Sequence, residues 1–478
     1  MFTVALAAAL SLAAGDGLPV KAPDAVGMSA GRLEAIDRVV QRGIAEGGYP
    51  GAAVVVGRKG AAVLEKGYGT LGWTSASPRV TPTSTIYDLA SLTKVVGTTT
   101  AAMVLYDQGK LDLDAPVRRY VPAFSGGTKD EVTIRHLLLH RSGLPAGRDL
   151  WRIARTPAQA RQAVIDSRLF CRPGACYEYS DLGADLLGFA IEAAAGESLD
   201  VLLQRTVFGP LGMTSTFFRP ADSLRGRIAP TEVAPPRGYP LRGEVHDENA
   251  HTLGGVAGHA GLFSTAGDLA VFAQMMLDGG VYDSVRVVRE ETVRLFTRRA
   301  AGSRALGWDT AEGGTGAGQY LTNGAYGHTG YTGTSIWIDP EREMFVILLT
   351  NRVHAAKARR PAKVISDVRA DLADAAAFAV VDMPTHYMAT PVSFRADRAL
   401  GWNEPVAVRS TAKARSARSK AAAKARAAKA AKAKAAKAKA AKAKTAKKST
   451  AKKPTAKKAP AKKTPAKKPA AKKTTSRS

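Results

Sequence analysis

Apolar residues in MSAGRLEAIDRVVQRGIAEGGYPG (28–51) recur at helical spacing, so this segment predicts an amphipathic helix. Immediately afterwards the period shortens. GAAVVVGRKGAAVLEKGYGTLG (51–72) sets two apolar runs on either side of Arg-Lys-Gly and predicts a β-hairpin. A further helix begins at Ser91, in SLTKVVGTTTAAMVLYDQGK, and is expected to end near Gly109. From about 110 to 300 the pattern is one of helices and loops, among them VTIRHLLLHRSGLP, TPAQARQAVIDS, YSDLGADLLGFAIEAAAG, LDVLLQRTVFGPLG and TAGDLAVFAQMMLDGG. Strands return in GAYGHTGYTGTSIWIDPEREMFVILLTNRV (324–353), which runs apolar across an Asp-Pro-Glu-Arg-Glu turn. A last helix is expected in AAKARRPAKVISDVRADLADAAAFAVV. Sheet elements at both ends with helices between them predict an α/β (α+β) unit. One sheet is built from distant segments, a helical lobe is inserted, and a cleft lies between the two.

Composition divides the 478-residue chain unevenly. Its formal charge of +28 comes almost wholly from residues 411–478, which hold 26 Lys or Arg and no Asp or Glu. The remaining 43 basic and 41 acidic residues leave the body close to neutral. Hydrophobic content of 45 % suits a full core. The expected organisation is a signal-like segment over 1–17, one catalytic-sized domain over 18–385, a connector over 386–410 and a basic tail over 411–478.

The start, MFTVALAAALSLAAGDG, resembles the apolar core of a secretory signal ending in small residues, without the usual basic n-region. The other reading is an apolar N-terminus on a cytosolic protein. No stretch reaches the roughly 20 apolar residues of a membrane-spanning helix. The two cysteines, Cys171 and Cys176, flank Arg-Pro-Gly-Ala, a turn that can bring them within disulfide range. A pair would fit an oxidising compartment; two reduced, buried thiols are the alternative.

The tail is Ala/Lys without proline in its first half, a composition in which dense like charge opposes the helix that alanine favours. From residue 446 Ala-Lys-Lys recurs every five residues, and Pro454, Pro460, Pro465 and Pro469 bar a continuous helix. It resembles the tails of linker histones and is expected to bind polyanions by counterion release, whether nucleic acid or an anionic envelope polymer or lipid surface. It has no aromatic residue to stack on bases. The tail favours nucleic acid and a nucleoid-associated location. The signal-like start favours the periplasm or the exterior.

Ser91 and Lys94 form an S-x-x-K at a helix start, which on its own is explained by serine capping a free backbone N–H. Its company changes the reading. Tyr179-Ser180-Asp181 follows in the helical region and His328-Thr329-Gly330 near the end of the body. With GKLDLDAPVRRYVPAF, GACYEYSDLGADLLG, VHDENAHTLGGVAGHAGLFSTAGDLA and GHTGYTGTSIWIDP, all in order, the chain resembles the serine hydrolases of the class C β-lactamase, D-Ala-D-Ala carboxypeptidase and esterase superfamily over roughly residues 25–375. That resemblance implies an antiparallel sheet flanked by helices, with an all-helical lobe. It also implies an acyl-enzyme at Ser91, peptide, ester or β-lactam-like substrates, and no cofactor or metal.

The residue types suit that chemistry. Three residues on a helix advance about 300°, so Ser91 and Lys94 share a face. Burial would lower a lysine's pKa and let Lys94 act as the base for Ser91. Tyr179 is the second proton-handling group. By the resemblance, the amides of Ser91 and Tyr331 form the oxyanion hole, and Thr329 and Gly330 line the cleft. His328 then assists proton relay or binds a substrate carboxylate. Two departures bear on the substrate: histidine replaces the lysine of K-T-G, and Asp181 replaces the asparagine of Y-x-N. An ionised Asp181 only accepts hydrogen bonds, and beside Lys94 it would favour the ammonium. Both departures favour carboxypeptidase or esterase activity, with weak or no β-lactamase activity. A polyanion-binding protein with an idle hydrolase body is the alternative.

His136 and His140 have i, i+4 ligand spacing, but the intervening leucines argue for a buried helix. His246, Asp247 and His259 either line the cleft or serve the structure.

Overall fold

The computed structural model of the chain describes residues 17–313 and 316–383. The expected connector, the basic tail and all but the last residue of the signal-like segment lie outside the described residues.

Helix α1 (Ala30–Ala45) opens with Ser29 as its N-cap, whose side chain accepts from the Arg32 amide. The hairpin follows as β1 (Gly51–Arg58) and β2 (Ala61–Gly69). The C-terminal strands are β3 (Asp309–Thr310), β4 (Tyr326–Thr329), β5 (Ser335–Asp339) and β6 (Met344–Thr350). They join the hairpin in one six-stranded sheet of order β2-β1-β6-β5-β4-β3, in which every pair is antiparallel.

The all-apolar reading of β1 has a direct cause: both faces are buried. Val54 and Val56 point with Val346 and Leu348 into a core closed by α1 and by α5 (Pro361–Ala379), through Val39, Val40, Val368 and Leu372. Ala53 and Val55 point with Ile347 and Leu349 into the larger core shared with the helical lobe. The two ends of the domain meet, since the Ser29 amide donates to Ala379 O (2.8 Å) and Val381 N to Gly27 O (3.0 Å).

The lobe includes α2 (Thr100–Asp107) and α3 (Asp181–Ala195), while α4 (Ala266–Leu277) packs on β1, β5 and β6 of the sheet. Cys171 and Cys176 form a disulfide, with Cα atoms 6.5 Å apart. Among the described residues, no helix is long and apolar enough to cross a membrane.

Two helical expectations are corrected. The segment from Ser91 is helical but not α-helical at first. Residues Ala90–Leu92 form a 3-10 turn, Thr93–Thr99 wind as a π-helix, and only then does α2 begin. Threonine hydroxyls hold the wide turn: Thr100 Oγ1 donates to Val95 O five residues back (2.9 Å), and Thr98 Oγ1 donates to Gly258 O (2.7 Å). The second correction concerns VTIRHLLLH. Its helix spans only Ile134–Leu138 and stops before His140, which sits at φ 55°. His136 caps its own helix through Thr133, and His140 Nδ1 accepts from the Ser180 amide (3.0 Å). The two imidazoles serve different loops.

Candidate active site

The turn that carries Ser91 is strained and pinned. Ala90, an L-residue, adopts φ 47°, and Asp88 holds it there by accepting from its amide (2.8 Å). Thr332 Oγ1 donates to Asp88 O (2.7 Å) and Thr334 Oγ1 to Leu89 O (2.9 Å). These bonds tie the loop after β4 to the residues just before Ser91, and so bring Tyr331 alongside the serine. Gly330 is required at this junction. A Cβ there would lie 2.4 Å from Leu89 O and 2.1 Å from Thr334 Oγ1.

Lys94 is buried and its ammonium is fully engaged. Nζ donates to Ser91 Oγ (3.0 Å) and to His259 O (3.1 Å), and it pairs with Asp181 Oδ1 at 2.7 Å. Asp181 is the first residue of α3, placed by Ser180, whose Oγ caps the helix at Gly183 N (3.0 Å). Tyr179 lies one residue upstream of that cap, with Lys94 Nζ 4.9 Å from its ring centroid. Its ring also packs against His140 (4.6 Å) and His328 (5.9 Å).

The expectation of a lysine lowered by desolvation is overturned here. Burial on its own would lower Lys94, but Asp181 and Tyr179 outweigh it and raise the group above the ordinary lysine value. Asp181 is lowered in turn: burial would raise it, and Lys94, followed by the charge of His259, more than offsets that. The pair is ionic at neutral pH, so Lys94 is an ammonium.

His328 departs from expectation as well. On β4 it is buried, and burial pushes it down to about 4 despite the nearby Asp309. Its Nδ1 donates to Thr329 O (2.8 Å), which leaves Nε2 without a partner among the described residues. The imidazole is therefore mainly neutral near pH 7, and His328 remains on the wall of the cavity that holds Ser91.

Cationic charge enters from residues the sequence did not single out. Ser91, Tyr179, His328, Tyr331, Arg352 and Arg369 line one cavity of about 410 Å³, together with Thr329 and Gly330. Arg304, a further wall residue, is neutralised by Asp309. Arg352 and Arg369 are not. Among the described residues neither pairs with a carboxylate, and each has a buried Nε with no acceptor. Arg352 lies over the Tyr331 ring at 4.4 Å, while Arg369 Nη2 donates to Gly330 O (2.5 Å) and Thr334 O (2.8 Å). Burial, then the charge of Arg352, pushes Arg369 below the usual arginine range. Arg352 directly follows β6 and Arg369 sits inside α5, so no motif spacing announced either.

The remaining candidates divide. His246 borders the cleft: its ring stacks on Tyr331 (5.7 Å), and its Nε2 meets Glu232 Oε1 at 2.9 Å. Asp247 and His259 lie behind Lys94, bonded to each other at 2.8 Å.

The profile of the family described as Beta-lactamase matches residues 36–369. A protein of Escherichia coli K12 named "Putative D-alanyl-D-alanine carboxypeptidase" is 33 % identical over 392 residues, covering 74 % of this chain and 90 % of that protein. Among solved structures, a penicillin-binding protein homologue from Caulobacter crescentus superimposes with a TM-score of 0.58 at 22 % identity, covering 74 % of this chain and 99 % of its own. A class C β-lactamase does so with a TM-score of 0.58 at 19 % identity, covering 71 % and 97 %. These two structural likenesses establish the fold.

Proposed function

Because this chain belongs to the β-lactamase family, we propose that it is a serine hydrolase that forms an acyl-enzyme at Ser91. Its substrates are peptides or esters that carry a free carboxylate, as for a D-Ala-D-Ala carboxypeptidase or esterase, and β-lactams are turned over weakly or not at all. The observation that carries this reading is the contact of Ser91 Oγ with a lysine held as an ammonium by Asp181. As Ser91 Oγ attacks the substrate carbonyl, its proton passes to the Tyr179 hydroxyl oxygen while that hydroxyl hands its own proton to the leaving amine or alcohol, so the phenol ends the step neutral. Lys94 neutralises the negative charge that develops between them. The amides of Ser91 and Tyr331 hold the oxyanion. Water then cleaves the acyl ester and regenerates the serine.

The K-T-G cation lost at His328 is supplied by arginines packed against the same segment, Arg369 on Gly330 and Arg352 on Tyr331. Arg352 and Arg369 line the cavity without a carboxylate partner among the described residues, which suits a substrate carboxylate. Replacing Arg352 by alanine is expected to raise KM for a D-Ala-D-Ala peptide by about 10–100-fold, the weight of one charge-assisted hydrogen bond. A neutral p-nitrophenyl ester should be almost unaffected. Equal losses on both substrates would mean that the arginine supports the fold rather than the carboxylate. The same panel with nitrocefin added tests the function itself: a nitrocefin rate exceeding the peptide and ester rates would overturn the assignment.

Export is favoured by the Cys171–Cys176 disulfide together with the signal-like start. The tail then serves as a tether to an anionic polymer. Truncation after residue 410 is expected to abolish salt-sensitive retention on heparin while leaving ester hydrolysis intact. Retention that survives truncation would remove that role from the tail.

A further inference from the structure

His259 does not line the catalytic cavity, yet it is buried among several charged side chains. It is 2 % exposed, and each ring nitrogen meets a different carboxylate: Nδ1 lies 2.7 Å from Asp185 Oδ1 and Nε2 lies 2.8 Å from Asp247 Oδ1. A neutral imidazole has one N–H and can satisfy only one of these acceptors. Both carboxylate oxygens are already committed as acceptors elsewhere. Asp247 Oδ1 takes the amides of Asn249 and Ala250 (2.9 and 2.8 Å), and Asp185 Oδ1 takes the His259 amide (3.3 Å). The arrangement is satisfied by an imidazolium with two N–H donors.

This cation stands directly behind the reacting groups. Asp185 lies one turn after Asp181 on α3, so both face the same side. The carbonyl of His259 itself accepts from Lys94 Nζ (3.1 Å). The neighbouring Gly258 packs flush on α3, where a Cβ would come within 2.0 Å of Ala184 O, and its carbonyl accepts from Thr98. We propose that His259 is a positioning residue, an imidazolium clamped between Asp185 and Asp247 that fixes the carbonyl gripping Lys94 and keeps Asp181 ionised beside it. The charged groups facing it are Asp181 and Asp185 from α3, Asp247 from the loop before the Glu248–Thr252 helix, and Lys94 from the π-helical segment. Burial alone would discharge the ring, and the three aspartates reverse that and hold it well above the ordinary histidine value. The proposal rests on the acyl-enzyme reading, to which it adds a second layer of charge behind Ser91.

The test has two arms. The first is nitrogen NMR on the full chain labelled with 15N-histidine, with the His259 signal assigned by its loss in His259→Gln. Both ring nitrogens are expected to remain protonated from about pH 5 to 9. An unprotonated nitrogen at pH 7 would overturn the proposal. The second arm follows fluorophosphonate labelling of Ser91. In folded His259→Gln, labelling is expected to slow about 10–100-fold while KM on the ester changes less than about threefold. The acid limb of the pH–rate profile is expected to move upward, because Asp181 loses the cation that helps depress it. Labelling at the wild-type rate with an unmoved limb would sink the idea. Should His259→Gln not fold, Asp185→Asn keeps the ring and an acceptor oxygen but removes one of the negative charges facing it; it is expected to show the same shifts at smaller amplitude, and no shift would count against the proposal. A wild-type protein that takes no label would defeat the acyl-enzyme reading instead, and the NMR arm tells the two failures apart.

Discussion

Replacing Ser91 with alanine is expected to abolish covalent labelling by a fluorophosphonate and to lower kcat/KM on esters by about 10⁴-fold or more. The magnitude follows from the chemistry, since without the hydroxyl there is no acyl ester and only orientation and oxyanion stabilisation remain. The substitution should leave the fold intact. The turn around residue 91 is held by backbone and neighbouring groups, through Ala90 N on Asp88 and Leu92 N on Leu89 O (3.1 Å), and not by the serine hydroxyl. Mass spectrometry of the labelled wild type locates the adduct. An adduct on another residue, or hydrolysis by Ser91→Ala within tenfold of wild type, would remove Ser91 from the nucleophile's role.

The second large effect is expected at Lys94. Alanine there should cost about 10³-fold in kcat, because the developing negative charge loses an ammonium in a low-dielectric site. The proton balance of the pair makes a sharper test. Lys94 lies above its ordinary value and Asp181 below its own. A group raised in the folded state stabilises the fold below its unfolded pKa and loses that contribution as pH climbs through the folded value. A depressed carboxylate stabilises above its unfolded pKa and loses the contribution as pH falls through the folded value. The ion pair is therefore at full strength between about pH 4 and 10.5. His328, at about 4, titrates only at the acid edge of that window. The wild-type rate should then be flat from about pH 6 to 9. Asp181→Asn removes the partner, leaves the desolvation, and should bring Lys94 below its ordinary value, drawing the alkaline limb down towards neutrality. A wild-type rate that climbs tenfold per pH unit up to pH 10 would show instead that neutral Lys94 is the base.

The elements most legible in the sequence were those whose burial follows a single rule. Helix α1 has one apolar stripe. β1 and β6 are buried on both faces and read as unbroken apolar runs. The family motifs placed Ser91, Lys94, Tyr179 and His328 in one cleft, and the structure brings them together. Features that depend on a few specific tertiary bonds were not legible. The π-helical winding of Thr93–Thr99 rests on Thr98 reaching Gly258, a residue 160 positions away. The two-residue strand β3 is too short for any periodicity. Arg352 and Arg369 carry no local signal, because their approach to the cavity is set by the packing of α5 on the sheet. The charge state of Lys94 was conditional on where Asp181 points, and only the cap at Ser180 settles that.

The antiparallel pairing of β1 with β6 also sets a timetable for biosynthesis. This pair joins segments about 290 residues apart, so β1 leaves the ribosome without the neighbour that will cover its second edge. At about 5–20 residues per second that wait lasts roughly 15–60 s. Throughout it, GAAVVVGR is an apolar strand with an unpaired edge, a template for aggregation. Until the residues around 350 arrive, that edge is open to pairing with other chains. Completion of the sheet waits for β6, about 290 residues after β1.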